Sequence, residues 1–250
     1  MIRTIREWRR RRAIDRIHVG EVQWAAAEAD LPFLGHLDVN DRSRLRAMTK
    51  AFIAEKEWAS AGDLLLTSAM QLSIALQACL PVLNLGLDHY RGWVGIVVYP
   101  GDFVIPRSVM DEDGVVHEYD DPVLGEAWEG GPVLVSWFDN EADADGANVV
   151  IHEFAHKLDM ENGAIDGIPR LPDDMPRSAW VAAFDSALED FQGRIDAGED
   201  TLLDPYAASD PAEFFAVMSE AFFQTPSLLR QDYPAVHEQL KRFYRQEPLG

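Results

Sequence analysis

The chain has 250 residues, 47% of them hydrophobic, which suffices for one large globular domain or two small ones. Its net charge of −21 argues against nucleic-acid binding over most of the surface, and its single cysteine, Cys79, excludes an intrachain disulfide. Because there is no signal-peptide core and no apolar run of roughly eighteen residues, we expect a cytoplasmic protein without a membrane span.

The first predicted helix extends from Ile2 to about Ile17 and is strongly basic, with seven arginines among residues 1–16. Apolar side chains interrupt these arginines, as is typical of an amphipathic helix. Since the apolar anchors are few, docking on the rest of the domain is favoured over contact with a membrane surface or an acidic partner. Asn40 and Asp41 are then predicted to cap a helix from about Arg42 to Ala59.

A buried helix and a pair of strands are predicted next. The stretch from Leu64 to Pro81 contains too many polar residues to span a membrane, so it is interpreted as a core helix. From Tyr90 to Ile105 the chain is rich in β-branched and aromatic residues, which predicts two strands with a turn at Pro100 and Gly101.

The segment between Arg107 and Lys157 contains no lysine or arginine and is strongly acidic. Strands are predicted within it from Val115 to Tyr119 and from Val133 to Phe138. An acidic field favours cations and the free amino end of a peptide, but an acidic face that only aids solubility explains the composition equally well. The acidic residues are Asp111, Glu112, Asp113, Glu118, Asp120, Asp121, Glu126, Glu129, Asp139, Glu141, Asp143, Asp145 and Glu153.

The stretch from Val149 to Gly163 is predicted to be a metal-binding helix. His152 and His156 are four residues apart and therefore share one helical face, and Glu153 projects beside them. Catalytic Zn²⁺ takes three protein ligands and a water, from which a non-ligand carboxylate can accept a proton. The surrounding residues are apolar, and unpaired histidines would be costly in a buried helix. One ligand is still missing from this set.

The strand predicted at Val133 to Phe138 directly precedes the metal-binding helix. In zinc peptidases an edge strand beside the metal helix often pairs with the extended backbone of the substrate. This segment is therefore the candidate for that role, although an ordinary sheet strand without substrate contact is an equally good interpretation.

The third ligand must come from farther along the chain. One large class of zinc enzymes has a histidine six residues after the second histidine, but Asn162 occupies that position here. Asn162 and Gly163 are predicted to end the metal-binding helix, since both tolerate a left-handed backbone. An amphipathic helix capped by Ser178 follows a proline-rich loop.

The best distant source of a ligand is the segment from Tyr206 to Phe223. Asp210 and Pro211 there predict the start of a helix, from which Glu213 and Glu220 project on nearly the same face. Glu213 can be a metal ligand or simply complete a capping box with Asp210. Glu220 can be the competing ligand or a partner that orients a histidine, and spacing alone leaves the choice open.

Several segments together resemble the Mlc titration factor A family of bacterial zinc metallopeptidases. The resemblance covers about Phe33 to Phe223 and rests on HEFAHKLDMENG and YAASDPAEFFAVMSEAFF, preceded by AEKEW, QACLPVLNLG and VVYP. It implies a gluzincin-type α+β fold, mostly helical with a small mixed sheet and related to the anthrax lethal factor catalytic domain. We expect one domain of residues 1–250, in which residues 1–60 are a helical part packed on the catalytic core.

The resemblance also implies a role for each polar residue. In the family, one Zn²⁺ is held by the two histidines and by the glutamate of the AEFFAV segment, which match His152, His156 and Glu213. The glutamate between the histidines is the general base and matches Glu153. A tyrosine upstream of the third ligand is associated with transition-state stabilisation, and Tyr206 is its match.

The implied activity is hydrolysis of peptides, aminopeptidase-like, and the implied partner is a glucose repressor of the Mlc type. A competing hypothesis is a metal-containing regulator that sequesters such a repressor and in which catalysis is incidental. Residues 1–16 and the helix from Tyr233 to Gln246 are the surfaces that it would use. A purely structural zinc site is disfavoured, because such sites usually have four protein ligands and are rich in cysteine.

Overall fold

The computed structural model describes residues 2–110, 116–138, 148–201 and 203–249, with the backbone alone for residues 2–6, 106–110 and 117–122. Part of the predicted acidic approach therefore lies outside the described residues, as does Val115 at the start of one predicted strand. The acidic residues concerned are Asp111, Glu112, Asp113, Asp139, Glu141, Asp143 and Asp145.

The fold is α+β, with helices around a small mixed sheet, as predicted. The α-helices are α1 (Ile2–Ile14), α2 (Glu21–Ala29), α3 (Val39–Glu55), α4 (Ser68–Cys79), α5 (Val149–Asp159), α6 (Arg177–Asp196), α7 (Pro211–Gln224), α8 (Pro226–Asp232) and α9 (Pro234–Tyr244). The strands are β1 (Glu57–Ser60), β2 (Gly95–Pro100), β3 (Phe103–Met110), β4 (Val116–Val123), β5 (Gly125–Ala127) and β6 (Val133–Trp137).

The larger sheet has the strand order β1-β2-β6-β5, in which the first three strands are parallel and β5 is antiparallel to β6. Val133 and Val135 of β6 are completely buried, as are Ile96 and Val98 of β2. Such burial is typical of central strands that are covered by helices. The strand predicted from Val133 to Phe138 is thus an interior strand, so its assignment as an edge strand is wrong.

The smaller sheet consists of β3 and β4, paired in antiparallel fashion. The predicted turn at Pro100 and Gly101 is present, and Gly101 has a φ of 81°, a conformation that glycine adopts without strain. The strands on its two sides do not pair with each other, because β2 joins the larger sheet and β3 the smaller one.

Two predicted helix starts and one helix end are wrong. The side chain of Asp38, rather than Asn40 or Asp41, caps α3 by accepting hydrogen bonds from two backbone N–H groups. This helix ends at Glu55, because residues 57–60 form β1 and pair with β2. Helix α6 begins at Arg177 after Pro176, which places Ser178 inside the first turn instead of at the cap.

The N-terminal helix is docked on the domain, as predicted. Helix α1 packs against α3, and Arg10 forms an ion pair of 2.5 Å with Glu55. Trp8 nevertheless remains 57% exposed on this helix. Within the described residues, no helix combines the length and the apolar character required to cross a membrane.

Candidate metal centre

Helix α5 is held in the core by the apolar residues between its polar ones. The side chain of Asn148 caps it by accepting a hydrogen bond of 2.9 Å from the backbone N–H of Ile151. Phe154 is completely buried, and its ring centroid lies 5.1 Å from that of Tyr90 and 5.6 Å from that of Phe52. This anchoring fixes the direction in which the two histidines project.

Helix α7 packs against α5 and supplies the carboxylates. Asp210 caps it, with hydrogen bonds of 2.8 Å and 3.1 Å from the N–H groups of Ala212 and Glu213. The carboxylate of Glu213 is directed at His152 instead of back toward Asp210, so it does not complete the capping box that its spacing permits.

Three side chains converge at the contact between the two helices. Oε2 of Glu213 lies 3.0 Å from Nε2 of His152 and 3.4 Å from Nε2 of His156, and the two Nε2 atoms are 3.1 Å apart. All three atoms lie within 4.8 Å of one another. Two imidazole nitrogens and one carboxylate oxygen are a donor set that suits Zn²⁺.

Glu220 occupies the other side of His152. Nδ1 of His152 donates a hydrogen bond of 2.7 Å to Oε1 of Glu220, whose Oε2 accepts one of 2.6 Å from the backbone N–H of Asn148. A carboxylate that accepts the hydrogen bond from Nδ1 fixes the ring orientation and leaves Nε2 to bind a metal ion. Of the two roles that spacing leaves open, this geometry matches the orienting partner.

The charges of this group favour a cation between the two helices. Burial alone would lower the pKa of His152, but its hydrogen bonds to Glu213 and Glu220 hold it well above its ordinary value. Burial alone would raise the pKa of Glu213, but the two histidines hold it well below its usual range. A positive charge beside Glu213 is therefore stabilised, whether it is a proton on His152 or a metal ion that replaces it.

Glu153 is 4% exposed and lies beside the convergent ligands. Burial raises its pKa to about 7, against the opposing effect of the charges on His152 and His156. Its Oε2 has no hydrogen-bond partner among the residues that the structure describes. A buried carboxyl with a pKa near neutrality and an unoccupied oxygen is suited to accept and return a proton.

Glycine at position 125 is required by the close approach of β5 to this carboxylate. A Cβ atom at Gly125 would lie 2.5 Å from Oε1 of Glu153 and 2.6 Å from its Cγ. Sequence reasoning missed this residue, because the contact joins two segments that are distant in the chain.

The convergent residues open onto a cavity of about 500 Å³. Tyr206, in a short 3₁₀ helix from Pro205 to Ala208, lines the cavity and is 55% exposed. The described residues that line it include five carboxylates and no lysine or arginine. The lining residues are Val123, Leu124, Gly125, Glu126, Ala127, Val149, His152, Glu153, His156, Met160, Ile165, Asp204, Tyr206, Glu213, Val217 and Glu220.

A second connection missed by sequence reasoning joins the end of α5 to the start of α7. Burial raises the pKa of Asp159 to about 6, and its Oδ2 accepts a hydrogen bond of 2.9 Å from the N–H of Gly167. Gly167 has a φ of 73°, and its carbonyl accepts a hydrogen bond of 3.0 Å from Trp180. A Cβ atom at this position would lie 2.3 Å from the carbonyl oxygen of Pro211. The available signal was an acidic residue, Asp159, at the end of a buried helix.

Comparison with known proteins gives a consistent set of relatives. The family model described as glucose-regulated metallo-peptidase M90 matches residues 5–245. A protein of Serratia proteamaculans named Mlc titration factor A is 41% identical over 91% of this chain and 88% of its own length. A protein of the same name from Pectobacterium atrosepticum is 39% identical over 91% of this chain and 87% of its own length. Another from Klebsiella pneumoniae is 38% identical over 92% of this chain and 88% of its own length.

Proposed function

The chain belongs to the glucose-regulated metallo-peptidase M90 family, and on that premise we propose that it is a zinc-dependent, aminopeptidase-like enzyme of the gluzincin type. The observation that carries the proposal is the convergence of His152, His156 and Glu213 beside the buried carboxyl of Glu153, at the wall of one cavity. A metal-dependent hydrolase needs a metal-binding group and a proton acceptor next to each other.

In this proposal the three convergent residues hold one Zn²⁺, and Glu220 keeps the ring of His152 in place. When bound, the metal supplies Lewis acidity toward a water molecule and the carbonyl of the substrate. The donor set supports zinc, since it has three ligands from protein, as catalytic zinc sites have. The absence of cysteine from the set argues against a purely structural site.

Glu153 acts as the general base. It accepts a proton from the attacking water and then donates that proton to the nitrogen of the leaving amine, so the carboxylate is regenerated. Its burial and its unoccupied Oε2 support this role. Tyr206 lines the same cavity and donates a hydrogen bond to the developing oxyanion.

The substrate is a peptide bound in extended form along β5. This strand is at the end of the sheet order, and all three of its residues line the cavity. An edge strand has backbone groups free to pair with an added strand. The five carboxylates of the cavity favour the positively charged amino end of a peptide over its carboxylate end, which supports aminopeptidase-like cleavage.

The proposal includes the relation to the catalytic domain of anthrax lethal factor, a cytoplasmic location, and no direct contact with membrane or nucleic acid. It also treats residues 1–250 as one domain, with residues 1–60 packed on the catalytic core. A continuous cluster of buried side chains from Trp24 to Tyr244 supports a single domain.

A second candidate function is sequestration of an Mlc-type repressor, supported by the name that the relatives carry. Helix α1 provides a suitable surface, because its described arginines are largely exposed around Trp8. Helix α9, within the region from Tyr233 to Gln246, is the other surface that this function would use. In this case peptide cleavage is incidental.

One substitution separates the two functions. Glu153→Gln removes the proton acceptor and keeps the ligands, so the protein should still contain zinc but no longer hydrolyse amino-acid anilides. Pull-down of the repressor with this variant should be unchanged if sequestration is independent of catalysis. Undiminished hydrolysis would refute the assigned role of Glu153.

The ligand assignment is tested by zinc content. Glu213→Ala should abolish stoichiometric zinc, whereas Glu220→Ala should only weaken its binding. Zinc retained in the first variant and lost in the second would reverse the roles of the two glutamates.

A further inference from the structure

Lys157 is a buried cation on the same helix as the metal-binding histidines. It follows Glu153 by one helical turn and is only 4% exposed. Its Nζ donates hydrogen bonds to the backbone carbonyl of Trp128 and, at 2.9 Å, to that of Gly131. It also lies 4.8 Å from the centroid of the Trp93 ring. A buried ammonium group needs such partners, so its place in the fold is closely determined.

The two carbonyls belong to the turn that joins β5 to β6. Within this turn the N–H of Gly131 donates a hydrogen bond of 3.0 Å to the carbonyl of Trp128, and the N–H of Trp128 donates one of 3.1 Å to that of Pro132. Lys157 therefore bonds to carbonyls at both ends of a closed turn. A turn held in this way cannot slide along α5 without losing both bonds.

The same helix contacts β5 at a second point. Gly125, at the start of the strand, lies against the side chain of Glu153, so close that a Cβ atom would overlap it. Glu153 and Lys157 are four residues apart and project from one face of α5. The hairpin formed by β5, β6 and the turn between them is thus fixed near the carboxyl of Glu153 at one end and near Lys157 at the other.

We propose that Lys157 is a positioning residue, which holds β5 at the distance from the metal ligands at which the strand pairs with an extended peptide. This inference rests on the proposed function, since it concerns the binding of the substrate of that site. Lys157 itself contacts neither the cavity nor the ligand atoms that converge there. Its effect on the reaction is transmitted through the backbone of the hairpin.

Lys56 provides a matched control. Its Nζ donates hydrogen bonds of 2.8 Å to the backbone carbonyls of Tyr90 and Trp93, and it lies 3.3 Å from the centroid of the same Trp93 ring. Both lysines lie near the Trp93 ring, and each donates hydrogen bonds to two backbone carbonyls. They differ in that the carbonyls bound by Lys56 are outside the β5–β6 hairpin.

The experiment compares Lys157→Met, Lys157→Arg and Lys56→Met with the wild-type protein. Lys157→Met should lower kcat/KM for tetrapeptides by about ten- to a hundredfold, mainly through KM, because misplacement of the strand weakens pairing along its length. Hydrolysis of single amino-acid anilides should fall much less, and zinc content should not change. Lys157→Arg keeps the donors and should restore most tetrapeptide hydrolysis.

Amide hydrogen exchange gives a readout that does not depend on activity. Exchange at Gly125–Ala127 and Val133–Val135 should accelerate in Lys157→Met and stay at the wild-type rate in Lys56→Met. The proposal is overturned if Lys157→Met matches the wild type in amide exchange and tetrapeptide hydrolysis. It is also overturned if Lys157→Met slows hydrolysis of tetrapeptides and amino-acid anilides equally, or if Lys56→Met changes exchange and hydrolysis as Lys157→Met does. A wild-type protein inactive on both substrates would instead refute the proposed function, while exchange still decides whether Lys157 anchors the hairpin.

Discussion

Polar groups of the metal centre (His152, His156, Glu213 and Glu153) are bonded differently from those that support it in the surrounding frame, meaning α6, strands β5 and β6, and the rest of α5 and α7. Three polar groups of the frame are paired: Glu220 accepts two hydrogen bonds, Trp180 donates to Gly167, and Lys157 donates to two carbonyls. In the centre, Oε2 of Glu153 and Nδ1 of His156 have no hydrogen-bond partner within the described residues. The paired groups fix the helices and the β5–β6 turn around the site, whereas the unpaired groups cost stability but stay available for chemistry.

The largest expected effect lies in the centre. Glu153→Gln should reduce kcat on peptide substrates by about a hundredfold to ten-thousandfold, the usual contribution of a general base. Steady-state kinetics on zinc-loaded protein measures this effect. A loss below tenfold would show that a group other than Glu153 accepts the proton.

In the frame, Phe154→Ala should lower the free energy of unfolding by about 3–5 kcal/mol, because it leaves a cavity among buried aromatic rings. Urea denaturation measures the loss. Val22→Ala is the matched control, since Val22 is 83% exposed and should change stability by less than about 0.5 kcal/mol. Equal effects at the two positions would contradict the packing of α5.

Burial of Glu153 in the metal centre should make the free energy of unfolding depend on pH. Burial raises the pKa of Glu153 to about 7 from its ordinary value of 4.5, so the native state holds this proton more tightly than the unfolded chain does. The free energy of unfolding of the metal-free protein should therefore fall as pH rises from about 4.5 to 7, by at most about 3 kcal/mol from this group.

Glu153→Gln isolates that contribution. Relative to the wild type, the metal-free variant should gain stability between pH 5 and pH 8, as measured by thermal unfolding with a chelator present. A difference between the two proteins that stays constant over this range would show that Glu153 titrates normally in the fold.

The smallest effect is expected at Glu220, which contacts the metal-binding residue His152. Glu220→Gln weakens the carboxylate on Nδ1 of His152, so zinc affinity should fall by about ten- to a hundredfold without loss of the fold. Competition with a chromophoric chelator measures this change. Affinity equal to that of the wild type would show that the ring of His152 is oriented by packing alone.

Features that depend on neighbours along the chain were predictable from the sequence. The two histidines share a face because they are four residues apart on a helix, and Asp210 with Pro211 correctly located the start of α7. The strands on both sides of the turn at Gly101 followed from composition and turn chemistry, whereas the small mixed sheet was implied by the family resemblance. The family resemblance selected Glu213 where spacing did not, and the structure places its carboxylate at the histidines.

Features that depend on distant segments were decided by the tertiary structure. Strand β5 pairs with β6 and occupies the edge that sequence order assigned to Val133–Phe138. Residues 57–59, which were predicted to be helical, instead form part of β1 because β2 pairs with them. The roles of Gly125 and Lys157 likewise arise from contacts with segments about thirty residues away in the chain. Local periodicity specifies which way a side chain points along its own element, whereas its partner is set by the packing of elements that sequence spacing does not relate.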